Sequence, residues 1–242
     1  MTTPGRPVRM LTSGRLSGRP QVLLLPGLGS VGYLREVLHA CGGWTRTSLL
    51  DLPGFGNRRT ADLPADLGSL TTAVASLLED PAFAGPPAVL LGHSTGSQVA
   101  LRAAVAVPGR VHALVLVGPT FEPAARRSAN LAMRHLRTSM YEPPGQMRYT
   151  VPDYARGGRR FTQYLRSALN DRPEDRIGQV LVPVLVARGR RDYFSSQPWV
   201  ERLADTASQG EAHILPGAHN VPYLHPGSVA HLIGRACSPR AS

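Results

Sequence analysis

The stretch V-L-L-G-H-S-T-G-S-Q, residues 89–98, joins an apolar run to a helical pattern through two closely spaced glycines. An apolar run typical of a buried strand ends at Gly92, and a helical pattern begins just after Gly96. Ser94 therefore stands at the tip of a predicted strand-to-helix turn. Such a tip strains the backbone, and small residues two places on either side relieve the crowding. Gly92 and Gly96 occupy those two places.

A serine on such a turn presents its hydroxyl above a sheet, where a base can take its proton. The alternative is an ordinary polar turn, because a chain with 25 glycines can match G-x-S-x-G by chance. The strand before Ser94 and the helix after it favour the nucleophile.

Short apolar segments alternate with helical patterns along most of the chain. The predicted strands are 21–26, 47–52, 88–91, 112–117, 182–189 and 212–216, and the predicted helices are 31–41, 67–78, 97–106, 199–205 and 228–235. This alternation predicts an α/β fold with a mostly parallel, doubly wound sheet that helices cover on both faces.

The interval 120–178 breaks the alternation with two or three helical patterns around a Pro/Gly hinge. We expect a core formed by 1–119 and 179–242, with 120–178 as a helical cap. The cap should lie over the carboxyl ends of the strands, where open α/β sheets bind ligands. The alternative, a disordered linker, is disfavoured by the helical periodicity and by the interval's aromatic residues.

Composition excludes several classes of protein. The 242 residues are 42% hydrophobic, which is enough for one domain with a sizeable core. The net charge is +11, and all 27 basic residues are arginine. A nucleic-acid surface would explain this charge, but the arginines are scattered without interleaved aromatics. We therefore favour a codon bias toward arginine and expect no nucleic-acid partner.

The apolar segments and the first residues of the chain predict a cytoplasmic protein without a membrane partner. No apolar run approaches the length that spans a bilayer, and the first residues lack the apolar centre of a signal peptide. They are expected to form a loose arm. Cys41 and Cys237 fit no disulfide framework or metal-ligand spacing, so both are expected to pack in the interior.

A nucleophilic serine needs a base and an acid that orients it. Asp192 follows the strand at 182–189, and His219 follows the strand at 212–216, so both fall at the sheet edge where Ser94 lies. They are predicted as orienter and base, while His93, beside the nucleophile, is expected to pack or hydrogen-bond locally. The residues that compete for these roles are His225 for the base, and Asp153 and Asp205 for the acid.

Acyl transfer also needs donors for the developing oxyanion. The Thr95 N–H, at the start of the helix, is one candidate. The second is the Leu28 N–H in L-P-G-L-G-S, where Gly27 and Gly29 let the backbone approach a substrate. The alternative for this loop is a simple Gly-rich turn.

Five stretches together resemble the α/β-hydrolase superfamily, of the small capped serine-hydrolase kind. They are L-L-L-P-G-L-G-S (23–30), D-L-P-G-F-G (51–56), G-H-S-T-G (92–96), V-P-V-L-V-A-R-G-R-R-D (182–192) and L-P-G-A-H (215–219). The resemblance implies Ser94 as nucleophile, His219 as base and then acid, Asp192 as orienter, and an oxyanion hole from Leu28 and Thr95. It implies no metal or cofactor, and places the cap after the sixth strand of the sheet.

The chain departs from the family pattern at a few positions. Pro26 stands where many members have histidine, Ser97 replaces a frequent glycine, and Asn57, Arg58 and Arg59 follow the 51–56 stretch where serine is frequent. Residues 1–20 barely support the first two strands, so the sheet is expected to be shortened. Serine at 94 disfavours epoxide and halide chemistry, which needs an aspartate nucleophile.

We therefore expect a serine hydrolase that cleaves an ester, lactone or thioester of a small apolar or ring-bearing substrate. One alternative is a C–C bond hydrolase, lyase or cyclase that uses the same triad on a natural-product intermediate. Another is a non-enzymatic binding protein that kept the pocket. Eleven arginines against six acidic residues in 120–178 would hold an anionic substrate group or form a solvated surface. The oligomeric state stays open.

Overall fold

The computed structural model of the chain describes residues 9–51, 63–83, 85–126 and 128–238. Its strands form one seven-stranded sheet in the order β1-β3-β2-β4-β5-β6-β7. They are β1 Arg9–Ser13, β2 Val22–Leu25, β3 Thr47–Asp51, β4 Ala88–His93, β5 Val111–Val117, β6 Val184–Gly189 and β7 Gly210–Leu215. β1 pairs antiparallel with β3, and all other neighbours are parallel. The predicted α/β class and mostly parallel sheet are confirmed.

The helices lie on both faces of this sheet. They are α1 Arg35–Gly42, α2 Leu67–Glu79, α3 Thr95–Ala106, α4 Ser128–Ser139, α5 Met147–Gly157, α6 Arg159–Leu169, α7 Gln197–Thr206, α8 Val221–Leu224 and α9 Pro226–Ala236. Apolar residues of α1 and α9 form a core on one face, and those of α2, α3 and α7 form a core on the other. Cys41 and Cys237 are both buried in the first of these cores, as expected for packing residues.

Side chains alternate between the two faces along each strand, so the strands contribute residues to both cores. In β4, Val89 and Leu91 point to the α1 and α9 side, whereas Leu90 points to the α2 and α3 side. Every residue of β4 is buried because helices cover both faces of the sheet. A parallel sheet of this kind explains why its strands appear in the sequence as continuous apolar runs.

The beginning of the chain is more ordered than the sequence analysis predicts. The first residues are expected to be a loose arm, yet Arg9–Ser13 forms β1 and Met10 opposes Leu50. A five-residue edge strand gives a weak local signal, because its stability comes from pairing with β3. The segment 120–178 follows β5, the fifth described strand, and not a sixth strand as expected, because only one described strand precedes β2 where the family pattern has two. Residues 52–62, with most of the 51–56 stretch and 57–59, lie outside the described residues.

The segment between β5 and β6 contains three helices, α4, α5 and α6. The side chain of Tyr164, on α6, is fully buried against the core formed by α2 and α3. The Gln98 side-chain amide donates to the Ala168 carbonyl oxygen at 2.8 Å, which ties α3 to α6. Among the described residues, no helix is both long enough and apolar enough to cross a membrane.

Candidate active site

Ser94 lies on the turn between β4 and α3, with φ 54° and ψ −126°. A positive φ is costly for a residue with a Cβ, and it persists only where the surroundings fix it. A Cβ at Gly92 would lie 2.5 Å from the Gly96 carbonyl oxygen, and a Cβ at Gly96 would lie 2.7 Å from the Pro26 carbonyl oxygen. The helix can pack this close to β2 and β4 only because both positions are glycine.

The turn directs Ser94 toward the loop that follows β2. The Ser94 backbone N–H donates to the Val117 carbonyl oxygen at 2.9 Å, which fixes the turn against β5. A Cβ at Gly27 would lie 3.2 Å from Ser94 Oγ, so the hydroxyl faces the Gly27 backbone. Ser94 is only 9% exposed, which shields its hydroxyl from bulk water.

Asp192 and His219 meet at the carboxyl end of the sheet. Asp192 follows β6, His219 follows β7, and His219 Nδ1 lies 2.9 Å from Asp192 Oδ2. A carboxylate oxygen accepts, so the neutral ring carries its proton on Nδ1 and leaves the Nε2 lone pair free to act as a base.

The Asp192 carboxylate is fully buried, and hydrogen bonds to both of its oxygens fix its orientation. Its Oδ1 accepts the backbone N–H groups of Phe194 at 2.9 Å and Ser195 at 3.1 Å. Arg188, on β6, donates to the carbonyl oxygens of Asp192 and Ser195 and closes the turn between them. Asp192 therefore presents its second oxygen to His219 in a fixed direction.

Charges around His219 favour its protonated form. Burial acts to lower the pKa of His219, but the charge and hydrogen bond of Asp192, with the charge of Glu142, outweigh it and raise the pKa above its ordinary value. Glu142 lies between α4 and α5, and its Oε1 accepts the Asn220 N–H at 2.8 Å. Burial in turn raises the pKa of Glu142, against the effect of the Asn220 N–H. The imidazole is thus tuned as an acceptor of a proton.

Gly118 lets β5 approach this pair. Its φ is +57°, and a Cβ there would lie 3.1 Å from Asp192 Oδ2 and 3.1 Å from His219 Nδ1. Because Ser94 bonds to Val117, the residue before Gly118, the three predicted triad residues converge around the end of β5.

The predicted oxyanion donors also adjoin Ser94, with one feature that the sequence does not indicate. Thr95 is the first residue of α3, so its N–H lies at the helix N-terminus. Leu28 has φ 44° and ψ 28°, and its N–H donates to Thr95 Oγ1 at 2.8 Å. The buried Tyr164 hydroxyl interacts with the same Thr95 side chain, which opposes the rise that burial causes in the pKa of Tyr164. The Leu28 donor is therefore already engaged by a neighbouring hydroxyl.

The residues that the sequence offered as alternatives to Asp192 and His219 lie in other parts of the structure. Asp153 accepts a hydrogen bond from Ser30 at 2.8 Å and pairs with Arg156. Asp205 lies on α7, and His225 precedes α9. In the described part of the chain, no group of three or more His, Cys, Asp or Glu residues is placed to hold a metal ion.

Much of the charge and aromatic surface of residues 120–178 is used within the protein. Ion pairs of the described arginines in this segment include Arg126–Glu174, Arg134–Glu122, Arg156–Asp153 and Arg176–Asp171. Tyr154 packs on Phe161 with ring centroids 4.8 Å apart, and Tyr149 packs on Tyr223 at 6.0 Å. These side chains act in the packing of 120–178, which favours the structural interpretation over an anion site for these four arginines.

The sequence did not indicate Glu142, Arg188 or Tyr33 as parts of the site. The Tyr33 hydroxyl accepts the Gly27 N–H, in the loop that faces Ser94, at 2.8 Å. The local sequence around each of these residues predicts its secondary structure but not its contact with the site. A charged residue inside the apolar run V-L-V-A-R-G was the available signal for Arg188, since a buried charge needs a partner. Tyr33 and Glu142 carry no comparable signal.

A sequence profile of the alpha/beta hydrolase family matches residues 22–232. The chain belongs to the alpha/beta hydrolase family. The mostly parallel sheet described above agrees with this assignment. Family membership confirms the resemblance inferred from the five sequence stretches.

Individual relatives share only limited sequence similarity with this chain. The pimeloyl-[acyl-carrier protein] methyl ester esterase of Aeromonas hydrophila subsp. hydrophila is 34% identical over 105 residues, which are 43% of this chain and 39% of that protein. A serine hydrolase involved in carbazole degradation, the CarC enzyme, superimposes with a TM-score of 0.79 at 21% identity over 96% of this chain and 95% of that one. The enol-lactonase from Burkholderia xenovorans LB400 gives 0.75 at 16% identity over 95% of each chain. These two structures support the fold alone.

Proposed function

We propose that this hydrolase cleaves a carboxylic ester, lactone or thioester of a small apolar or ring-bearing substrate through Ser94, His219 and Asp192. The observation that carries the proposal is the 2.9 Å bond from His219 to Asp192, beside a serine held at positive φ. Such a pair supplies a base whose tautomer is fixed. The partial similarity to an esterase agrees with ester chemistry.

In the proposed reaction His219 Nε2 takes the Ser94 proton while Ser94 Oγ attacks the substrate carbonyl carbon. The N–H groups of Thr95 and Leu28 stabilise the oxyanion. The leaving group departs with the proton held by His219, and a water activated by His219 then releases the acid. Asp192 keeps its negative charge and stabilises the imidazolium throughout.

One step of this reaction follows from the bond between Leu28 and Thr95. Because the Leu28 N–H donates to the Thr95 hydroxyl, the substrate oxygen has to replace that hydroxyl as acceptor. The exchange costs little, since one hydrogen bond is made as another is broken. The Leu28 N–H thus changes its acceptor from the Thr95 hydroxyl to the substrate oxygen when a substrate occupies the site.

We also propose that 120–178 is a cap over this site. Glu142 and Gln146 accept hydrogen bonds from Asn220, the residue after His219, at 2.8 and 2.6 Å. From the same segment, the Ala168 carbonyl oxygen accepts a hydrogen bond from Gln98, on the helix that follows Ser94, at 2.8 Å. A cap that contacts both the base loop and the helix after the nucleophile excludes water from the reaction.

Fluorophosphonate labelling tests the nucleophile. Attack by Ser94 Oγ on phosphorus displaces fluoride and leaves one stable adduct, which intact mass detects. We expect one adduct on the wild type, none on Ser94→Ala, and turnover of aryl esters, lactones or thioesters reduced at least about 1000-fold in that variant.

Ser97→Ala is the matched control, because Ser97 is a buried serine of α3 whose Oγ donates to the Gly92 carbonyl oxygen of β4 at 2.8 Å. It should keep the adduct. A folded wild type that takes no adduct, or a Ser94→Ala variant with full turnover, would contradict the proposal.

A further inference from the structure

His93, the residue before Ser94, connects three segments of the site. Its Nδ1 lies 2.7 Å from the Tyr33 hydroxyl, and its Nε2 lies 3.0 Å from the His219 carbonyl oxygen. The Tyr33 hydroxyl also accepts the Gly27 N–H at 2.8 Å. A continuous chain of hydrogen bonds therefore runs from the loop after β2, across the nucleophile turn, to the loop of the proposed base.

The protons of this chain can be placed unambiguously. A carbonyl oxygen only accepts, so His93 Nε2 must carry a proton and donate to His219. In the neutral ring Nδ1 then accepts, and the Tyr33 hydroxyl donates to it. The same hydroxyl oxygen receives the Gly27 N–H. The Tyr33 hydroxyl and the His93 ring each accept one hydrogen bond and donate one, so donation runs in one direction from Gly27 to His219.

The interior keeps His93 neutral, as this arrangement requires. His93 is 2% exposed and Tyr33 is 3% exposed. Burial, together with the neighbouring His219, lowers the pKa of His93 to about 3, against smaller opposing effects from its bond to His219 and from Asp192. A buried polar chain whose members are all satisfied fixes one geometry, because any displacement leaves an unpaired group.

We propose that Tyr33 and His93 are positioning residues that hold the Gly27 loop and the His219 loop at a fixed separation across Ser94. The proposal rests on the proposed roles of Ser94, His219 and Leu28. The tie to Gly27 places the neighbouring Leu28 N–H, and the tie to the His219 backbone places the imidazole. Neither Tyr33 nor His93 transfers a proton to substrate.

Kinetics of three variants test this role. Tyr33→Phe keeps the ring and removes both hydrogen bonds of the hydroxyl. His93→Leu removes all bonds of the imidazole, whereas His93→Gln keeps an N–H that can reach the His219 carbonyl oxygen. We expect Tyr33→Phe and His93→Leu to lower kcat about 10- to 100-fold with KM within about twofold, and His93→Gln to recover part of the loss.

Thr45→Val is the matched control for lost stability. Thr45 is 1% exposed, and its hydroxyl donates to the Pro20 carbonyl oxygen at 3.0 Å, just before the amino end of β3 and at the opposite edge of the sheet from Ser94. It should lower Tm without changing kcat. A kcat within twofold of wild type in both Tyr33→Phe and His93→Leu would overturn the proposal, as would equal losses in His93→Leu and His93→Gln.

A measurement without turnover separates this proposal from the proposed function. Ring ¹⁵N chemical shifts of the full chain should show His93 as the neutral Nε2–H tautomer at neutral pH. In Tyr33→Phe, exchange of the Gly27 amide proton should become about tenfold faster, since one hydrogen bond is lost. The opposite tautomer, or an unchanged exchange rate, overturns the tie. If these results hold while the wild type takes no fluorophosphonate, it is the proposed function that fails.

Discussion

At the residue scale, Glu142 is a second carboxylate that acts on His219. Its charge helps raise the pKa of His219, after Asp192 has opposed the effect of burial. Glu142→Gln removes the charge but keeps an oxygen that can accept the Asn220 N–H. We expect the acid limb of the kcat/KM profile to move to lower pH, because His219 then stays unprotonated further into acid. The measurement is kcat/KM for an aryl ester across the acid range.

Glu36→Gln provides the control, since Glu36 is an exposed residue in the first turn of α1. Its profile should overlay that of the wild type. An acid limb in Glu142→Gln that stays in place, or moves to higher pH, would show that this carboxylate does not act on the base.

At the element scale, the close packing of α3 on β2 depends on Gly96. A Cβ there would overlap the Leu25 carbonyl oxygen and lie 2.7 Å from the Pro26 carbonyl oxygen, both of which are backbone atoms that cannot turn aside. Gly96→Ala should therefore lower the free energy of unfolding by about 3 kcal/mol through overpacking. Urea denaturation followed by circular dichroism measures this change.

Gly234→Ala is the opposite case in the same kind of element. Gly234 lies within α9, and nothing lies within 4 Å of a Cβ built on it. Alanine should raise the free energy of unfolding by up to about 1 kcal/mol, through its better helix propensity. Equal effects of the two substitutions would show that close approach does not decide the glycine at 96.

At the scale of the whole molecule, His93 links global stability to pH. Its folded pKa is lowered to about 3, while the unfolded value is the ordinary 6.5. Above the unfolded value both states are neutral; as pH falls toward 3 only the unfolded state takes up the proton, so stability is lost. Relative to His93→Gln, the wild type should lose about 3 kcal/mol between pH 7 and pH 4.

Urea titrations of both proteins at several pH values measure this difference. His219 contributes with the opposite sign, because its pKa is raised, but that contribution is common to both proteins and cancels. His231→Gln, an exposed position on α9, should follow the wild-type curve. Parallel curves for wild type and His93→Gln would contradict the prediction.

Local sequence patterns predict the six strands β2–β7, the turn at Ser94 and the positions of Asp192 and His219 after β6 and β7. Those features follow from local causes, because a buried strand needs a continuous apolar run and a tight turn needs Gly92 and Gly96 at fixed spacing. The carboxyl ends of parallel strands then bring distant loops to one edge. The family assignment confirms the fold that these patterns predicted.

Apart from the Asp192–His219 pair, the polar contacts across the site depend on how separate elements pack. Tyr33 and His93 are 60 residues apart in sequence, and His93 and His219 are 126 apart. The bond between Leu28 and Thr95 and the contact of Glu142 with Asn220 are equally non-local. Hydrogen bonds depend on distances of a few tenths of an ångström between separate elements, which no local pattern encodes. The edge strand β1 is a further feature that the local sequence does not predict, because pairing with β3 stabilises it.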